Sequence, residues 1–177
     1  LPRAWLARMK ASMKRLAPQF STNRMVWEYA EGYYVPAARF HAELVADGGA
    51  RARRLAEWKT KVFRQWSRVA VESVEVEHRA AQRVGDRLPV VALVNLGELV
   101  PADVSVEAYY GRLDDKQQIV SGSVSRLDLD APLDGGRYRF TGVVTCEHSG
   151  THGCAVRVRP EHPDANNVLA TGLSTWW

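Results

Sequence analysis

Two cysteines are all that this 177-residue sequence contains, too few for a disulfide framework and unnecessary in a chain long enough to bury a core. Charge of one sign is also scarce. The 24 Lys and Arg against 20 Asp and Glu leave a net +4, gathered mostly in the first seventy positions and weaker than the basic face of a dedicated nucleic-acid binder. No apolar run nears the roughly 18 residues that span a bilayer, and no charged n-region, apolar h-region and small-residue cleavage site opens the chain. A cytoplasmic protein with no membrane and no nucleic-acid partner is the expectation. Gly-rich phosphate loops, a His-Glu-x-x-His helix and a Gly-x-Ser-x-Gly nucleophile turn are all missing, which argues against independent catalysis. Repeats and low-complexity tracts are absent as well.

What is present falls into two halves with different periods. Trp5, Leu6, Met9, Met13 and Leu16 recur at helical spacing until Pro18. Ser21 or Thr22 can cap a second helix through Met25, Val26 and Tyr29, with Phe20 stapling the incoming chain and Arg24 pairing with Glu28 one turn on. A third helix begins near Pro36, runs through Phe40 and Leu44, and stops at Asp47-Gly48-Gly49. The fourth is the clearest: Leu55, Trp58, Val62, Trp66 and Val69 form one stripe, and Arg51, Arg53, Arg54, Lys59, Lys61, Arg64 and Arg68 occupy the polar positions. Near residue 71 the period becomes two. Val71 to Glu77, Leu88 to Leu96, Asp103 to Tyr110, Gln118 to Leu127, Tyr138 to Cys146 and Cys154 to Arg159 read as strands between Gly- and Asp-rich turns. Residues 1–70 are therefore expected as a helical region and 71–177 as an antiparallel β-sandwich, immunoglobulin-like in outline, giving an α+β protein.

Residues with chemical potential are few. Asp103 with Glu107, and Asp128 with Asp130, have the composition of a glycosidase pair, but spacing along strands does not establish a separation between carboxyl groups, and solvated acids are expected. His41 lacks a spaced ligand partner; Lys59 and Lys61 are expected as ordinary helix-surface lysines. Trp176 and Trp177 can anchor the tail after Pro163, Asn166 and Asn167, or form an aromatic platform for a sugar. The stretch CEHSGTHGC leaves three readings open. A reversal at Ser149-Gly150-Thr151 would set Cys146 opposite Cys154 and His148 opposite His152 on one face, able to bind tetrahedral zinc, form a disulfide or simply decorate a hairpin.

Trp5 and Met9, then Phe20-Ser21, Asn23-Arg24, Glu28-Tyr29 and Tyr33-Tyr34, resemble the closing segment of the α-glucan phosphorylases, the glycogen, starch and maltodextrin enzymes. A second set resembles their shorter bacterial branch, which carries an added C-terminal β-domain: Leu96-Gly97-Glu98-Leu99, Pro101 to Val104, Glu107, Tyr109-Tyr110-Gly111, Ser149 to Gly153 and Val156 to Pro160. The resemblance implies a C-terminal fragment, in keeping with a chain that starts at Leu1. The parent would use pyridoxal phosphate to cleave terminal α-1,4-glucosidic bonds with inorganic phosphate, releasing glucose 1-phosphate. Its partners would be the remainder of the chain, an α-1,4-glucan and phosphate, with room for a homo-oligomer. The cofactor lysine and its Gly-rich context belong upstream, so no catalytic, cofactor-binding or metal residue is assigned here. An independent carbohydrate- or protein-binding β-sandwich is the alternative. Cys146, His148 and Cys154 depart from the family pattern, and reduced thiols on an ordinary hairpin are expected.

Overall fold

A computed structural model describes residues 2–77, 83–165 and 171–177. The chain forms two compact units, Leu1–Arg54 and Leu55–Trp177. Asn166 and Asn167 lie outside the described residues.

The first unit is helical. Helix α1 spans Arg3–Leu16 and α2 spans Thr22–Tyr29. Ser21 caps α2, its hydroxyl accepting from the Arg24 amide at 3.3 Å, and Arg24 meets Glu28 at 3.0 Å, as the spacing predicts. A π-helical turn, Ala30–Tyr34, leads from α2 into α3, Val35–Gln65. Pro36 lacks an amide to donate to the carbonyl four residues back, which accounts for a widened turn at this place. Helix α3 is broken where the glycines predicted it: Asp47, Gly48 and Gly49 have φ of +51°, +64° and +79°. Neither α1 nor α2 buries a single side chain. Phe20 is 76% exposed and so does not staple the chain, and Trp5, Met13, Trp27, Tyr33 and Tyr34 face solvent too. The helical periodicity is right, yet the stripe it creates has nothing to cover it within this unit.

The second unit has its own core. Trp58, Val62, Trp66 and Val69 are buried and join one cluster with Val90, Ala92 and Val94 of β2, Val104, Val106 and Ala108 of β3, Phe140 of β5, and Val156 and Val158 of β6. Seven strands follow among the described residues: β1 Ala70–Val76, β2 Arg87–Asn95, β3 Val104–Leu113, β4 Ile119–Pro132, β5 Arg137–Thr145, β6 His152–Pro160 and β7 Thr175–Trp176. They pair antiparallel in the order β1-β2-β5-β4-β3-β6-β7. Asp114 closes the β3–β4 turn by accepting from the amides of Lys116 and Gln118, both at 2.9 Å.

The α+β architecture holds, but the expected immunoglobulin-like sandwich does not. Two sheets were inferred from short strands, whereas the 14-residue β4 belongs to both halves of one sheet. Its first part pairs with β3, Val106 opposite Leu127, and its second with β5, Asp128 opposite Thr141. With β1 drawn close to β6 and β7, the sheet becomes a nearly closed barrel.

The Leu96-Gly97-Glu98-Leu99 motif gains a physical reading here. Leu96 and Leu99 are buried, and Glu98 accepts from Gln65 and Arg68, each at 2.8 Å. Asp103 accepts from the Val100 amide at 3.0 Å and from Lys61 at 2.7 Å, tying helix α3 to the start of β3.

Candidate functional site

Strand β3 is buried on both faces. Val104, Val106 and Ala108 point into the core; Ser105, Glu107 and Tyr109 alternate onto the other face. The register places Arg126 of β4 and Arg157 of β6 on either side of Glu107. Glu107, with 6% of its side chain exposed, accepts from Arg157 Nε at 2.7 Å and Arg159 Nε at 2.6 Å, and from Ser105 Oγ at 3.2 Å. Burial pushes this carboxyl up, but the arginine bonds and charges together outweigh it and hold its pKa below the ordinary value. Arg126 instead makes a two-pronged bond to Glu161, at 2.9 and 2.6 Å.

Strand β7 delivers Trp176 to this face. It pairs with β6, Trp176 opposite Arg157, and the Trp177 amide donates to the Val156 carbonyl at 2.9 Å. The Arg157 guanidinium lies 5.4 Å from the Trp176 ring centroid, and Tyr109 meets that ring edge-on at 6.3 Å. Tyr109 itself lies over Gly122, where an added Cβ would come within 2.6 Å of the tyrosine ring. Of the buried or interfacial anchoring expected for the terminal tryptophans, burial is not found within this chain, where Trp176 is 48% and Trp177 57% exposed.

Among the carboxylates considered for catalysis, Asp103 and Glu107 are held by cations, and Asp130 pairs with Arg139. A carboxyl whose pKa is held down, as that of Glu107 is, is unsuited to donate a proton near neutrality. His41 is exposed and Lys59 half-buried, while Lys61 is engaged by Asp103. Sequence reasoning missed the clamp around Glu107, although its signal was present in Val156-Arg157-Val158-Arg159, whose alternation puts both arginines on one face.

The Cys-His stretch does not form the expected hairpin. Strand β6 pairs with β3, so Cys154 faces Tyr110 and His152 faces Arg112; β5 pairs with β2 and β4 instead. Cys146 is therefore not placed opposite Cys154. Both cysteines are free thiols, with Cys146 Sγ donating to the His148 carbonyl at 3.3 Å. His152 bonds through Nδ1 to the Gly150 carbonyl at 2.9 Å and stacks on Tyr110 at 5.2 Å. Among the described residues no group of three or more His, Cys, Asp or Glu could hold a metal ion. Burial pushes the Cys154 thiol up to about 11. At pH 8 its thiolate fraction should be roughly a hundredfold below that of an unfolded cysteine. Iodoacetamide should consequently modify Cys154 about a hundredfold more slowly in the native protein than in urea, as followed by mass spectrometry; equal rates would contradict the packing around β6.

Residues 66–177 match the family described as "Glycogen phosphorylase C-terminal domain". The whole chain is similar to the maltodextrin phosphorylase of Thermococcus litoralis, 36% identical over 176 residues, covering 97% of this chain and 20% of that protein. It is also similar to the glycogen phosphorylases of Mycobacterium bovis and Mycobacterium tuberculosis, 29% identical over 178 residues, covering 99% of this chain and 20% of each. The chain thus spans about a fifth of the length of these relatives. Among solved structures, a Pseudomonas fluorescens alkylpurine DNA glycosylase bound to DNA superposes over 62% of this chain and 32% of its own with a TM-score of 0.34 at 13% identity, too slight a likeness to carry an argument.

Proposed function

The chain belongs to the glycogen phosphorylase C-terminal domain family, and from that premise we propose that it is the non-catalytic C-terminal region of an α-glucan phosphorylase. The intact enzyme would be cytoplasmic and would cleave terminal α-1,4-glucosidic bonds with inorganic phosphate to release glucose 1-phosphate. In that setting residues 1–70 close the catalytic lobe and residues 71–177 form the accessory β-domain.

One observation carries the reading: α1 and α2 bury nothing, although their apolar residues recur at the spacing of a packed helix. Amphipathic helices gain most of their stability from covering such a stripe. The four-fifths of the relatives that this chain does not span is the natural cover. An independent β-module would have no use for two helices, α1 and α2, whose apolar stripes stay uncovered.

Pyridoxal phosphate, which the family reading implies for the intact enzyme, does not fit the residues present. Its attachment needs a lysine beside a phosphate cradle, yet Lys61 is held by Asp103 at 2.7 Å and the glycine break in α3 is met by the Arg53 side chain, which donates to the Gly48 carbonyl at 2.7 Å. No catalytic step is assigned to this chain.

Incubation with maltodextrin and phosphate tests the proposal. The longer protein that ends in this region should release glucose 1-phosphate, and the 177-residue chain alone should release none. Product from the short chain, or none from the long one, would overturn it.

A further inference from the structure

We propose that the end of the barrel at Tyr110, Arg112 and His152 binds hydrogenphosphate, in a cavity of about 60 Å³ walled by β3, β4, β6 and the connection from β5 to β6. Every wall belongs to this chain, and the site stands apart from the phosphorylase reading.

Register puts the polar groups on one face. Tyr110 pairs with Ser123 on one side and Cys154 on the other, and Arg112 pairs with Ser121 and His152. Directly paired residues share a face, and this is the face on which Val106 and Ala108 join the core. The interior of the barrel therefore turns from apolar to polar over its last two levels. At the floor, Tyr110 is 7% exposed, yet its hydroxyl has no hydrogen-bond partner among the described residues. A buried orphan of this kind is unfavourable until a ligand bonds it. The Cys146 thiol beside it is committed to the His148 carbonyl at 3.3 Å, and burial pushes the tyrosine up to about 12, so that it remains a donor. His152 stacks on the tyrosine with the two rings 5° from parallel and gives its Nδ1 proton to the Gly150 carbonyl at 2.9 Å, which leaves Nε2 for a ligand. Arg112 forms no ion pair among the described residues and supplies the cation.

One carboxylate decides which anion is taken. Glu147 lines the cavity and accepts from Ser123 Oγ at 3.0 Å through Oε2, leaving Oε1 to accept again. A carboxylate repels an oxyanion that has no proton to give it and bonds one that has. Inorganic phosphate keeps a P–OH group at pH 8. Sulfate has none, and phosphomonoesters, whose second pKa is about 6, have lost theirs. A metal ion is not the occupant, since among the described residues no group of three or more His, Cys, Asp or Glu could hold one.

Equilibrium dialysis against radiolabelled phosphate at pH 8 tests the site. The 177-residue chain should take up one phosphate, with sulfate and glucose 1-phosphate competing at least tenfold more weakly. R112Q should weaken uptake about tenfold, the loss expected of one charge-assisted bond. E147Q should still bind phosphate but lose its preference over sulfate. Both side chains are exposed, so both variants should melt with the parent by circular dichroism, which certifies that they fold. No stoichiometric uptake, equal competition by sulfate, or undiminished uptake by R112Q would each overturn the site. In the longer protein the same site is read by difference. At a phosphate concentration that just fills the short chain, R112Q should bind close to one phosphate fewer than its parent, and no difference there would overturn the site as a property of the intact protein.

Discussion

Gly111→Val should lower the melting temperature of this protein by roughly 10 °C or more, followed by circular dichroism. A Cβ on Gly111 would stand 2.2 Å from the Ser121 carbonyl oxygen and 2.5 Å from the Gly122 Cα, and both are backbone atoms of β4. No rotamer change relieves such a contact; β3 and β4 must part. The position is the middle of a row, since Gly111 pairs with Gly122 on one side and Gly153 on the other. Three strands thus lack side chains at one level, which lets the sheet coil tightly where the barrel curves. The cost should be about 3–5 kcal/mol, in the range of the most disruptive single substitutions. Gly153→Ala should be milder, because the atom its Cβ meets at 2.7 Å is the terminal carbon of the flexible Leu113 side chain. Equal melting of Gly111→Val and the parent would mean that β3 and β4 do not approach as described.

Glu107→Gln should cost about 2–3 kcal/mol near pH 7, measured from urea midpoints. Breaking a buried ion pair by removing one partner is worth more than that, but Arg157 and Arg159 retain 30% and 20% exposure, and water screens what the carboxylate leaves behind. The effect has a sign in pH. Because the folded-state pKa of Glu107 is lowered, its stabilisation is fully present above the unfolded value near 4.5 and is lost as pH falls through the lower, folded value. The gap between parent and variant should therefore hold from pH 7 to about 5 and shrink below about 4.5. A gap unchanged at pH 3 would assign the role of Glu107 to shape rather than charge.

Local structure was legible in the sequence wherever a period or a cap carries it. The stripe from Trp58 through Val69, the stop at Asp47 to Gly49 and the Ser21 cap all lie where propensity and spacing placed them. Strand positions were legible as well, but partnership was not, because alternation tells which residues share a face and not which strand lies beside them. The sharing of β4 between two halves and the pairing of Cys154 with Tyr110 both follow from partnership. The same gap hid the candidate site: Glu107, Arg157 and Trp176 are far apart along the chain and meet only through the order of β3, β6 and β7. Phe20 failed for another reason. Its role was inferred from sequence alone, and nothing in its own unit receives it.

The strand order is nested. The meander β3-β4-β5 lies at the centre, joined by two short turns; β2 and β6 add to its flanks, and β1 and β7 add outside those. Contacts close in sequence form sooner than distant ones, since less loop must be closed to make them. Assembly should therefore proceed outward from β4, with β1 and β2, neighbours in sequence, joining as a preformed hairpin and β7 annealing last. Trp176 then takes its place only on a finished barrel, so that its surroundings report on whether the whole sheet has been built.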